Sequence, residues 1–222
     1  MSDLARLERI ERARETWDSR YSHPTFRYGY RPNDFLVDNQ LMLRRGSRVL
    51  ALGDGEGRNG VWLAEQGHRV TSIDLSEVGA GKARTLAAER GVTIDAHAGD
   101  LVEWLARDPA ADGPWDGVVS IFVHLPAEER RTVAQLLTPR MSPRGVLLLE
   151  AFTPAQLQLA SGGPADEETL LTRERVVHDW PGLHLDIRIT DRRMFEGAGH
   201  QGLASVIQVL GRPRPPTASS GA

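Results

Sequence analysis

The chain has 222 residues, a formal charge of −3, 40% hydrophobic residues and no cysteine. That length supports one domain with a sizeable core, and the missing cysteine excludes a disulfide framework, a thiolate metal site and a cysteine nucleophile. Near-neutral charge gives no global case for a nucleic-acid partner, no apolar run is long enough to span a membrane, and the mixed-charge start Met1-Ser2-Asp3-Leu4-Ala5-Arg6 has no apolar signal core, so a cytoplasmic protein without membrane partners is expected.

Residues 3 to about 20 read as an amphipathic helix with sparse apolar positions at Leu4, Leu7 and Ile10. Residues 17–34 read as a loop: Trp17, Tyr21, Phe26, Tyr28 and Tyr30 crowd together with Pro24, Gly29 and Pro32. A helix follows from about Asn33, with Asn33 or Asp34 as cap. From Arg48 strands and helices alternate. Strands are expected at 49–52, 70–73, from 92–94, at 116–122 and at 145–152, and helices around 61–64, 76–90 and 126–137. The strands are continuous apolar runs, which fits burial on both faces of a parallel sheet, and the alternation predicts a doubly wound α/β fold. Residues 185–195 and 203–210 flank Gly197-Ala198-Gly199 and predict a closing antiparallel hairpin. The division expected is an N-terminal helix and aromatic lid over 1–35, a main domain over 36–210 and a flexible tail over 211–222. Lys82 is the sole lysine, and the arginine bias suggests a GC-rich bacterial genome.

The chemistry concentrates at Gly53-Asp54-Gly55-Glu56-Gly57-Arg58-Asn59, directly after the first strand. Three glycines there remove side chains where backbone meets a ligand, as in nucleotide-type sites. The dinucleotide fingerprint needs its third glycine where Arg58 stands, and Asp54 and Glu56 would repel a pyrophosphate. A cationic ligand would be attracted, and S-adenosylmethionine (SAM) carries a sulfonium and an ammonium. Asp74, ending the second strand before Leu75 and Ser76, is placed to hold both ribose hydroxyls; its alternative role, a cap for the next helix, could be supplied equally well by Ser76. Asp100 with the backbone of Leu101 could hold an adenine edge. No metal-ligand pattern is present.

Residues 49–59, Asp74, Asp100 and the run Ser120-Ile121-Phe122-Val123-His124-Leu125-Pro126 resemble the class I SAM-dependent methyltransferases, with their Rossmann-like seven-stranded sheet and C-terminal hairpin. More narrowly, Trp17-Asp18-Ser19-Arg20-Tyr21, residues 28–36, Gly57-Arg58-Asn59-Gly60 and Leu149-Glu150-Ala151-Phe152-Thr153-Pro154 resemble the tellurite-resistance-type and thiopurine-methyltransferase-like group. The resemblance implies that Gly53, Gly55 and Gly57 line the methionine moiety, that Phe122 lies beside the methyl donor, and that Trp17, Tyr21, Tyr28 and Arg31 help cover cofactor and acceptor. It places Asp54, Arg58 and Asn59 in the same cofactor loop. Many members carry an acidic residue where Ala51 stands, which leaves Asp54 or Glu56 to compensate. His124, just past a strand's carboxyl end, is the candidate general base. The expected function is methyl transfer to a small molecule, with tellurite or another chalcogen compound as one acceptor class, by a monomer or homodimer. A non-catalytic SAM-binding protein and a nicotinamide-dependent oxidoreductase are the competing readings.

Overall fold

The computed structural model describes residues 3–108 and 111–215. Seven strands form one sheet: β1 (Arg48–Leu52), β2 (Arg69–Asp74), β3 (Asp95–Ala98), β4 (Trp115–Ile121), β5 (Met141–Phe152), β6 (Leu183–Glu196) and β7 (His200–Pro213). Their order is β3-β2-β1-β4-β5-β7-β6. The pairs β1–β2, β1–β4, β2–β3 and β4–β5 are parallel, whereas β7 pairs antiparallel with both β5 and β6. This is the class I methyltransferase fold, with the hairpin inserted as its final two strands.

Among the described residues seven α-helices accompany the sheet: α1 (Asp3–Tyr21), α2 (Asp34–Asp38), α3 (Arg58–Glu65), α4 (Glu77–Glu89), α5 (Leu101–Arg107), α6 (Ala127–Leu137) and α7 (Arg173–Asp179). Short polar side chains start several of them by accepting from a backbone N–H that has no partner within the helix. Asn33 caps α2 through Leu36 N, Ser76 caps α4 through Gly79 N, and Asp100 caps α5 through Glu103 N. The central strands are buried on both faces because side chains alternate along them. Leu50 and Leu52 join a core with Trp104, Trp115 and Val133, while Val49 and Ala51 join a second core with Phe35, Leu36 and Leu63. A carboxylate at position 51 would sit in that second apolar core, beneath the glycine loop.

Three expectations change. The third strand begins later, at Asp95, because Val92 and Ile94 pack on the Val61–Leu86 cluster between α3 and α4 instead of pairing. Residues 211–213 are not tail: Gly211 pairs with Leu147 and Pro213 with Leu183 inside the sheet. Residues 216–222, the rest of the expected tail, lie outside the described residues. Helices α5 and α7 were not anticipated; both are one to two turns long, too short to show a helical repeat.

Candidate cofactor and acceptor site

The strand order reverses between β1 and β4, and open α/β sheets bind ligands beyond the carboxyl ends of their strands at such a point. A cavity of about 750 Å³ lies there. It is bounded by the loops after β1, β2, β3 and β4, by α1, and by the β6–β7 turn.

The chain leaves β1 through Gly53, Gly55 and Gly57, all with positive φ (53°, 55° and 86°). These glycines have a packing role besides the expected one of clearing side chains from a ligand. A Cβ on Gly55 would stand 2.6 Å from the Tyr21 hydroxyl, one on Gly57 2.8 Å from the Ala83 Cα, and one on Gly53 2.8 Å from Val123. The loop is pressed between neighbouring elements as well as facing the cavity. Two carboxylates hold its shape: Gly55 N donates to Asp74 Oδ2 (2.8 Å), and Gly60 N donates to Asp54 Oδ1 (3.1 Å). Asp74 Oδ1 also accepts from Ser76 N (2.9 Å).

Of the expected site residues, Gly53, Asp54, Gly55, Arg58, Asn59, Asp74, Leu75, Asp100, Leu101, Phe122, His124, Trp17, Tyr21 and Tyr28 line the cavity. Gly57, Ser76 and Arg31 do not. Gly57 is buried against α4, and Ser76 caps α4 while its hydroxyl donates to Asp18 of α1. Arg31 is exposed, and its carbonyl accepts from Arg58 (3.2 Å). Several lining residues already have protein partners. Arg58 pairs with Glu196 at 2.9 Å, Asn59 Oδ1 accepts from Asn33 N at 2.9 Å, and Asp100 Oδ1 takes both Glu103 N and the Arg6 guanidinium (2.6 Å).

Electrostatics separates the acidic groups. Glu56 is neutralised by Lys82 (2.5 Å). Asp54 and Asp74 accept only backbone N–H bonds, and neither has an ion pair among the described residues. Burial, the largest cause, pushes Asp54 up to about 7 and Asp74 up to about 6; the pair also repels itself. Two buried carboxylates short of positive charge at a glycine turn suit a cationic ligand and oppose a pyrophosphate.

Further along the cavity, Phe122 has an unusual positive φ of 56° and stacks near Phe152 (4.6 Å between ring centroids). His124 lies flat on Phe152 at 5.5 Å, with Nδ1 at 3.4 Å from the Thr169 carbonyl. Its Nε2 is occluded and unpartnered, and burial lowers the imidazole to about 4.

Sequence reasoning missed a buried charged cluster behind these rings. Glu150, fully buried on β5, takes Arg192 of β6 (2.6 Å) and the Asn33 amide (2.7 Å). Glu196 takes Arg58 and His200 Nδ1 (3.0 Å). Only the Glu196/His200 spacing around Gly197-Ala198-Gly199 could have hinted that these two side chains meet across a hairpin turn. The ion pairs of α1, Arg6 with Asp100 and Arg9 with Glu129, had no sequence signal.

Comparison with known proteins fits this site. A methyltransferase-domain family model matches residues 49–145. Residues 49–145 thus resemble a methyltransferase domain, and the sheet that carries them has the class I methyltransferase fold. The cofactor of that domain is S-adenosylmethionine. The ubiquinone biosynthesis O-methyltransferase of Caulobacter sp. (strain K31) is 32% identical over 139 residues, covering 61% of this chain and 52% of that protein. The chain thus spans about half the length of the curated relatives it matches. Among solved structures, that reported for conversion of a disulfide bond into a thioacetal group during echinomycin biosynthesis superposes with a TM-score of 0.72 at 19% identity, covering 93% of this chain and 95% of the other. TehB from Haemophilus influenzae has a TM-score of 0.64 at 16% identity, covering 90% and 67%. Likeness at these identities speaks for the methyltransferase fold alone.

Proposed function

We propose that the protein transfers the methyl group of SAM to a small-molecule acceptor. The observation that carries this reading is the uncompensated pair Asp54 and Asp74 at the glycine turn of a methyltransferase domain. In this assignment Asp54 and the 53–57 backbone take the charged methionine end. Asp74 holds the ribose through lone pairs its two backbone donors leave free, since each carboxylate oxygen accepts more than one bond. Leu101 and the second oxygen of Asp100 border the adenine. Phe122 stands where the glycine turn meets the acceptor half of the cavity. Bound SAM supplies a methyl group on a sulfonium, which is displaced in line and leaves a neutral thioether. The protein's work is to align the acceptor and exclude water, and α1 with the β6–β7 turn closes the cavity for that purpose.

The net charge of −3 favours a small molecule over nucleic acid as acceptor. Tellurite, an oxyanion, needs cationic donors: Arg58 is matched by Glu196, whereas Arg20 and Arg27 line the cavity beside Tyr28. Calorimetry with S-adenosylhomocysteine (SAH) and with NADH is the first test: SAH should bind and NADH should not. Radiolabelled methyl transfer to phenols, thiols, tellurite and tRNA follows. NADH binding in place of SAH would establish the oxidoreductase reading, and SAH binding with no turnover on any acceptor would establish the non-catalytic one.

A further inference from the structure

We propose that His200, oriented by Glu196, is the general base of the transfer, and that the acceptor is a planar, largely apolar molecule methylated on a hydroxyl group. The assignment rests on the methyl-transfer reading above.

His200 Nδ1 lies 3.0 Å from Glu196 Oε2, and Glu196 is itself fixed by Arg58 at 2.9 Å. Glu196 is a carboxylate held down at about 2 despite burial, by the His200 hydrogen bond and by Arg58 and Arg192. It must therefore accept, so Nδ1 carries the hydrogen and Nε2 the lone pair. That lone pair is available. His200 lines the cavity, and its Nε2 makes no hydrogen bond among the described residues and is not occluded. His124 differs on this last point, because its Nε2 is shut off from the cavity and its ring lies flat on Phe152. The base is thus on the hairpin, and His124 packs the floor.

The surroundings set the acceptor class. His200 is wrapped by Phe122 (4.8 Å), Phe152 (5.1 Å, edge-on) and Tyr28 (4.5 Å). Three aromatic rings around one lone pair suit a flat ring bearing a hydrogen-bond donor. The charged and titratable groups facing His200 are Glu196 and Arg192 from β6, Arg58 from α3, Tyr28 from the aromatic segment and His124 from the loop after β4. Burial and the two arginines lower its imidazole while Glu196 raises it, with a net fall, so the ring is neutral at pH 7. In the step proposed, the acceptor oxygen forms its bond to the methyl carbon as the carbon–sulfur pair returns to sulfur. The O–H proton passes to His200 Nε2, giving an imidazolium that faces Glu196. Solvent later removes the proton.

The experiment compares wild type, His200→Gln and Glu196→Gln on a panel of phenols and on thiophenol, which is already ionised at neutral pH and needs no base. SAH affinity is measured by calorimetry for all three. Expected are unchanged SAH affinity, a 100-fold or greater loss of phenol methylation in His200→Gln at saturating phenol, and less than a 5-fold loss with thiophenol. The acid limb of the phenol pH–rate profile should shift downward in Glu196→Gln. Nitrogen NMR of the uncatalysed protein should show His200 as the Nδ1–H tautomer. Equal phenol rates in wild type and His200→Gln, equal losses on phenol and thiophenol, an Nε2–H tautomer, or a wild type that binds SAH but methylates no phenol would each overturn the assignment. A wild type that does not bind SAH overturns the methyl-transfer reading itself.

Discussion

In the proposed assignment Asp54 and Asp74 carry the chemistry of the cofactor half. Their raised values mean that the ligand-free protein holds protons at pH 5–6 that the unfolded chain has released, so their contribution to stability is present at low pH and lost as pH rises through 6 to 7. A cation bound beside them reverses the trend, because it favours the ionised forms. SAM should therefore bind more tightly as pH rises from 6 to 8, and Asp54→Asn should flatten that dependence, as calorimetry across this range would reveal. Asp74→Asn should weaken SAM by about 1–3 kcal/mol, the usual worth of a charged hydrogen bond. A pH-independent affinity in wild type would show that the carboxylates do not face the cofactor's charge.

The elements around the site are coupled through the glycine loop. Since a Cβ on Gly55 meets the Tyr21 hydroxyl at 2.6 Å, α1 and the loop after β1 share one packing contact. Gly55→Ala should destabilise the fold by roughly 2–3 kcal/mol, combining left-handed strain with that clash. Tyr21→Phe in the same chain should recover part of the loss, a non-additivity that denaturant melts of the two singles and the double would measure. Helix α1 itself closes the cavity through Arg6–Asp100 and Arg9–Glu129. Arg6→Ala should raise the SAM dissociation constant about 5-fold, on the order of 1 kcal/mol. Hydrogen exchange should show α1 amides more protected with SAH in wild type than in this variant, and equal protection would make α1 a fixed wall.

At the scale of the whole molecule, the cluster of Glu150, Arg192, Glu196, Arg58 and Asn33 ties the antiparallel hairpin to the parallel half of the sheet. Its members come from β5, β6, α3 and the start of α2. Arg192→Leu leaves the fully buried Glu150 with Asn33 and Gln208 as partners but no cation, and should cost about 3–5 kcal/mol. Thermal unfolding would check this, and a change below 1 kcal/mol would mean that the Arg192–Glu150 pair does not hold the hairpin in place. The same cluster sets where Glu196 and His200 stand, so an Arg192 variant that still folds should also have a mispositioned acceptor half.

Local chemistry made much of this protein legible in the chain alone. Apolar runs on alternating β and α segments are short-range patterns, and they gave four of the five parallel strands closely, with the hairpin besides. The glycine turn with Asp54 and Asp74 is equally local, since strand ends and helix starts impose their own residue types. Other features depended on residues far apart in sequence. Asp95–Ala98 became β3 because Thr71 to Asp74 offered an edge, whereas the more apolar 92–94 went to α3 and α4. Gly55 was shaped by Tyr21, 34 positions earlier, and Asp100 was claimed by Arg6. The charged residues of β6 looked like those of any half-exposed strand. Only packing β7 between β5 and β6, and bringing α3 against the hairpin, buried Glu196 beside Arg58 and turned His200 toward the rings. Sequence settles what a residue can do chemically, but burial and the choice of partner decide what it does, and both are set by contacts between distant parts of the chain.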